Sequence, residues 1–142
     1  MLSLSHDNIN VVTCLGISIS HQRLLPDLVM ELMFASLAKV VGDVNPLNFR
    51  EKVSMLQGAA RGLAYLHLLR CYHADIKTAN IMLDRYLVPK IADMGQGRFA
   101  EKTNTVVHPA SPTYCAPERL DGTPINPFKS DICTASVLSW WR

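Results

Sequence analysis

The stretch Cys71–Asp84, CYHADIKTANIMLD, places a His, an Asp, a Lys and an Asn within eight positions and then turns apolar. Its first ten residues show neither helical nor strand periodicity and read as a loop. Ile81–Asp84 (IMLD) and Val88–Ile91 (VPKI) are short, apolar and separated by Arg85–Tyr86. They read as two small strands. Two further pieces follow, IADMG at Ile91–Gly95 and APE at Ala116–Glu118. A hairpin between the loop and IADMG would bring the carboxylates of Asp75 and Asp93 to the same end.

Working outward, the clearest element precedes the loop. From Asn48 to Leu69, residues Val53, Leu56, Ala60, Leu63 and His67 recur at spacings of three and four, which places them on one helical face. Asn48 with Glu51 three positions later predicts a capping box. Upstream, Val11–Ser20 and Leu24–Leu32 are rich in branched apolar residues and read as strands joined by the polar turn SHQR. Phe34–Val41 reads as a short helix ended by Gly42 and Asn45–Pro46. Downstream, Gly95–Pro117 reads as a long loop, of the kind that is usually functional or disordered. A last apolar helix is expected over Ser130–Trp141.

The 142 residues suit one domain; 49% are apolar and 18% charged, the composition of a globular protein. A net charge of +2 with no block of like charge gives no argument for nucleic acid or an anionic membrane surface. Cys14, Cys71, Cys115 and Cys133 form no C-x-x-C pair and no zinc-ligand spacing, so they read as free thiols of a reducing compartment. The apolar region Leu24–Val41 is broken by Pro26, Asp27, Glu31 and Lys39 and makes a poor membrane span. No signal peptide is visible, and a cytoplasmic location is expected.

Phosphoryl transfer from a nucleotide requires a carboxylate to orient the attacking hydroxyl, oxygen ligands for Mg²⁺ and a cation against the developing charge. Asp75 suits the first role and Lys77 the third. Asn80 and Asp93 are hard oxygen ligands suited to magnesium. A blander reading stands beside this one: Asp75 and Asn80 as turn formers, Asp93 as a loop cap, His73 as a buried structural histidine and His67 as core or helix end. Asp131, next to Ser130, has the bland reading of simply favouring a helix N-terminus. The run Met30–Met33 is core or the wall of an adenine site.

The residues resemble the eukaryotic protein kinase catalytic domain. HADIKTAN is similar to the catalytic loop H-R-D-L-x-x-x-N, DMG to D-F-G, and APE matches outright, in order and after an amphipathic helix. The resemblance implies an α+β, protein-kinase-like fold in part: the last strands and hinge of the small lobe over 1–33, then the mainly helical first half of the large lobe over 34–142, through the activation segment and into the following helix. It implies an enzyme that uses ATP and Mg²⁺ to phosphorylate Ser or Thr of a protein substrate, because Lys77 lies two after Asp75 and SPTYCAPE lacks a Trp. GLAYLH and SDICTASVLSWW suggest the tyrosine-kinase-like branch.

The resemblance also implies roles. Asp75 is the catalytic base, Lys77 meets the γ-phosphate, and Asn80 and Asp93 bind metal. Glu31 and Met33 offer hinge backbone to adenine, Met30 is the gatekeeper, and Met82 lies under the ring. His73 and Met94 pack together. Ser111 approaches Asp75, and Asp131 hydrogen-bonds the catalytic-loop backbone.

Departures carry expectations of their own. Ala74 replaces the Arg of H-R-D, so phosphates on Thr103 or Thr105 would lack that partner. No G-x-G-x-x-G loop and no V-A-I-K lysine occur in the 142 residues. The chain is therefore expected to be truncated at both ends and weak or inactive alone; the alternative is a kinase-derived binding module, or a gene-model fragment. Glu118 lacks its usual Arg, and Trp140 and Trp141 are expected to be exposed and to form a protein-partner surface on the C-terminal helix.

Overall fold

Helix α2 (Phe49–Leu68) forms because its start is doubly satisfied. The Asn48 side chain accepts from the Glu51 amide at 3.0 Å, and Glu51 Oε2 accepts from the Asn48 amide at 2.8 Å. This is the capping box the sequence predicts, and it ends within one residue of the expected position, at the Leu69 cap. In the computed structural model, residues 8–19, 25–42, 47–99, 112–120, 122 and 124–137 are described. Ser111, Thr103, Thr105, Trp140 and Trp141, with the expectations placed on them, lie outside these.

The other elements are β1 (Cys14–Ser18), β2 (Asp27–Met30), β3 (Ala35–Ser36), α1 (Leu37–Gly42), β4 (Cys71–Tyr72), β5 (Ile81–Leu83), β6 (Pro89–Ile91), β7 (Arg98–Phe99) and α3 (Pro127–Val137). Three small antiparallel sheets result: β1–β2, β3–β5–β6 and β4–β7. The expected IMLD–VPKI hairpin is present, with Ile81 opposite Ile91 and Leu83 opposite Pro89. No described helix is long and apolar enough to cross a membrane.

Several boundaries differ from expectation for local reasons. The Phe34–Val41 helix starts only at Leu37, because the Phe34 amide donates to Leu83 O and Ala35–Ser36 pair with β5. The last helix starts at Pro127 rather than Ser130. Asn126 Oδ1 accepts from the amides of Phe128 and Lys129, and proline at the first helical position sacrifices no bond. Within the expected Gly95–Pro117 loop, Arg98–Phe99 pair with Cys71–Tyr72, and two 3₁₀ turns occupy Pro112–Tyr114 and Pro117–Arg119.

The buried stripe of α2 is also displaced from the expected face. It runs Met55, Gly58, Ala59, Gly62, Leu63, Leu66, so of the predicted face only Leu63 lies in it, Leu56 packs against its edge, and Val53, Ala60 and His67 fall outside. The reason is a neighbouring backbone. Asn10 O accepts from the Ile91 amide at 2.8 Å, and Asn10 Nδ2 donates to Pro89 O at 2.8 Å, which lays residues 10–12 beside β6 and against the helix. A Cβ on Gly62 would lie 2.2 Å from Asn10 O. Gly62→Ala should therefore cost about 2–3 kcal/mol, the overpacking penalty exceeding the ~1 kcal/mol that alanine gains in a helix. A urea midpoint equal to or above the parent's would contradict this. Leu37, Met55, Leu63, Leu66, Ile76, Ile81, Leu83 and Ile91 complete the core between α2 and the β5–β6 hairpin. Ile76, in the middle of the chemistry-bearing loop, and Ile81, directly after it, anchor the loop in this core.

Candidate active site

The loop between β4 and β5 is held from below by one buried carboxylate. Asp131, on α3 and 1% exposed, accepts from the His73 amide at 2.7 Å and the Ala74 amide at 2.9 Å. Its Oδ2 also meets His67 Nε2 on α2 at 3.1 Å. Asp131 thus ties two helices to the loop and does not cap α3, a task Asn126 performs. His67 is the partner of this carboxylate and stacks edge-on against Phe128, with ring centres 5.0 Å apart.

His73 connects the loop to the IADMG segment. The Asp75 amide donates to His73 Nδ1 at 3.2 Å, so Nε2 carries the proton and donates to Ala92 O at 2.9 Å. The Ala92 amide in turn donates to Asn80 O at 2.9 Å. With both peptide groups of Ala92 fixed, Asp93 is launched from a set position. Its φ of 60° is left-handed, a conformation that costs a non-glycine residue about 1–2 kcal/mol. Asp93 is exposed, and its Oδ1 accepts from the Gly95 amide at 3.3 Å. Met94 packs against the main core, whereas the His73 ring meets the chain at Ala92 O.

Two of the predicted site residues converge on the carboxylate of a third. Lys77 Nζ donates to Asp75 Oδ2 at 2.7 Å, and Asn80 Nδ2 donates to Asp75 Oδ2 at 3.0 Å and to Asp75 O at 2.9 Å. Asp75 is 8% exposed and Asn80 7%. With its amide nitrogen committed to Asp75, Asn80 keeps its oxygen for another partner, as a cation ligand must. Thr78 Oγ1 lies 3.2 Å from Tyr114 OH, which joins the loop to the segment before APE.

Glu31, expected at the hinge, is placed by an ion pair that sequence reasoning missed. Lys90 Nζ lies 2.9 Å from both carboxylate oxygens of Glu31, and Glu31 Oε1 accepts from the Thr13 amide at 2.7 Å. Lys90 is the cross-strand partner of Met82. Glu31 is thereby fastened to β6, while Met33 is half-buried and Met30 is 46% exposed. Burial pushes the Glu31 carboxyl up, but the bonds from Lys90 and Thr13 outweigh it and hold it below its ordinary 4.5. A carboxyl depressed on folding stabilises the fold above its unfolded value, and that contribution is lost as pH falls through the folded value. Stability should therefore decline below about pH 4.5 less steeply in Glu31→Gln than in the parent, read from urea midpoints between neutral and acid pH. Superimposable curves would remove Glu31 from the acid response. A second missed residue is Arg119, buried and bonded to the loop backbone at Ala74 O, 2.7 Å away. Position directly after APE gives it no periodic signal.

An α+β chain with a His-x-Asp loop, an Asn five residues on and a following D-x-G turn is consistent with a partial protein kinase fold. The family model of the protein kinase domain matches residues 1–140, and the chain belongs to that family. It is 36% identical over 143 aligned positions to the cysteine-rich receptor-like protein kinase 26 of Arabidopsis thaliana, covering 91% of this chain and 21% of that protein. It is 34% identical over 135 residues to a serine/threonine-protein kinase/receptor of Acanthamoeba polyphaga mimivirus, covering 92% of this chain and 8% of that one. The receptor-like serine/threonine-protein kinase SD1-8 of Arabidopsis thaliana is 39% identical over 100 residues, covering 65% and 12%. The chain thus spans 21% or less of the length of these relatives.

Proposed function

We propose that this chain carries the catalytic loop, metal-holding residues and hinge of a protein serine/threonine kinase, which transfers the γ-phosphate of ATP to a protein hydroxyl. The observation that supports it best is the Asp75 carboxylate, received by Lys77 and Asn80 on a loop whose backbone is fixed by Asp131. In this reading Asp75 takes the hydroxyl proton, and Lys77 exchanges its contact with Asp75 for the phosphate. The oxygens of Asn80 and Asp93 suit Mg²⁺, which is commonly held by one or two protein oxygens together with substrate phosphates. Held by these residues, the ion would supply positive charge against the phosphates. Glu31 and Met33 border the adenine, with Met82 beneath it. Serine or threonine as acceptor is supported by Lys77 and by the relatives named serine/threonine-protein kinases.

Nucleotide binding is tested by thermal denaturation. Mg²⁺ with ATP should raise the melting temperature of the 142-residue chain, with neither sufficient alone, and Asp93→Asn should abolish the rise. A rise unchanged in Asp93→Asn, or no rise in the parent, would refute the nucleotide site.

One sequence observation favours a second reading, a module that binds without turnover. The 142 residues hold no G-x-G-x-x-G loop and no V-A-I-K lysine, parts that grip phosphate in this family. Positioning supplies most of the rate of this reaction, so the chain alone should transfer phosphate slowly.

A further inference from the structure

We infer that Arg119 is a positioning residue for Asp75, acting through the peptide group that joins Ala74 to Asp75; the inference rests on Asp75 being the catalytic base. That peptide group is gripped at both ends. Its carbonyl oxygen accepts from Arg119 Nη1 at 2.7 Å, and its amide donates to His73 Nδ1 at 3.2 Å. The plane of this peptide fixes φ of Asp75, and with it the direction in which the carboxylate leaves the backbone. The grip is needed because Ala74 stands at φ 67°, a left-handed conformation that alanine disfavours.

Two buried side chains of opposite charge hold the strained residue. Asp131 takes the amide of Ala74 at 2.9 Å, and Arg119 takes its carbonyl. Arg119 is 4% exposed and Asp131 1%. Charge-assisted bonds at buried sites are the stronger kind, and each demands that its partner stay in place. The bond from Arg119 spans 45 residues, from the 3₁₀ turn Pro117–Arg119 to the loop. This bond ties the APE turn to the catalytic loop. No phosphate takes part in this connection, and the guanidinium reaches the loop from outside it, where the loop's own sequence has Ala74.

The test measures the loop directly, by amide hydrogen exchange in the 142-residue chain, alongside phosphate transfer. Arg119→Met keeps the bulk and removes the donor. The Ala74 and Asp75 amides should exchange about tenfold faster or more, the worth of a charged hydrogen bond, with the Leu63 amide of the core within about twofold of the parent. In the same variant kcat should fall about tenfold with KM for ATP within about twofold, because the base is misaimed and the nucleotide contacts are intact. Adding Ala74→Gly should restore about fivefold of the lost protection, since glycine adopts the left-handed φ freely.

Acceleration equal at Leu63 would reduce Arg119 to a general stabiliser and overturn the proposal. Unchanged exchange at Ala74 and Asp75, KM rising in step with the loss of kcat, or no recovery on adding Ala74→Gly would also overturn it. If the parent transfers no phosphate, the chain falls under the second reading, and local loosening at the two amides still decides whether Arg119 positions residue 75. Should Arg119→Met not fold, Arg119→Lys serves. It keeps the charge without the fork, and about threefold faster exchange at the two amides is expected, with parental rates overturning the proposal.

Discussion

Asp131→Ala should cost about 3–5 kcal/mol of folding stability, a large share of the about 5–15 kcal/mol typical of a domain. The carboxylate is 1% exposed and receives the amides of His73 and Ala74. Truncation leaves both N–H groups buried with no acceptor, at about 1–3 kcal/mol each, and removes the partner of His67 Nε2. The isosteric Asp131→Asn should also be costly, at about 2 kcal/mol. It offers one oxygen where two donors on different oxygens must be met, and it turns an N–H₂ toward a backbone N–H. Urea denaturation gives both values, and the slope of the transition should be unchanged, since the surface exposed on unfolding stays the same. A loss under about 1 kcal/mol for the alanine variant would show that water or a shifted loop satisfies the two amides. The expectation that separates this account from a helix-cap role is locality. Asn126 already caps α3, so helix content should survive in Asp131→Asn while the His73 and Ala74 amides lose exchange protection.

What could be read from sequence divides along the range of the interactions. The α2 cap and the β5–β6 hairpin rest on contacts within a few residues. Asn48 with Glu51 and the turn at Asp84–Val88 carry their own hydrogen bonds. Residues set by distant partners were not legible. Gly58 and Gly62 look like weak points in a helix until Pro89 and Asn10 are seen against them. Lys90 reads as an alternating strand residue, and only the fold reveals Glu31 across 59 residues. The β4–β7 pair has two residues per strand, too few for any period to register. Arg119 is the extreme case: a charge beside a motif reads as surface, and its burial depends on the Ala74 carbonyl 45 residues away. Within the site, residue types and order were legible for Asp75, Lys77 and Asn80. The convergence of the last two on a single oxygen of the first was not.

Asp75→Asn should lower phosphate transfer by about 10²–10⁴-fold, the contribution of a positioned general base. The exchange preserves shape and much of the bonding, and it removes the charge. Asparagine can still receive Lys77 Nζ or Asn80 Nδ2 on its oxygen, whereas the carboxylate receives both on Oδ2, at 2.7 and 3.0 Å. It cannot take the proton of an attacking hydroxyl, since its nitrogen has no basic lone pair. Nucleotide binding should survive, because Asn80, Asp93 and the hinge are untouched. The melting-temperature rise with Mg²⁺ and ATP should therefore match the parent's even as transfer of labelled γ-phosphate to a protein acceptor disappears. Asp93→Asn should show the opposite pairing, with both the rise and the transfer lost. A transfer rate within about threefold of the parent in Asp75→Asn would exclude Asp75 as the base, for no positioned base contributes so little. A parent that gains stability from Mg²⁺ and ATP yet transfers nothing would place the chain in the second reading. The assembled loop would then serve to hold nucleotide, and the ion pair between Lys77 and Asp75 would be its resting state rather than the first step of a reaction.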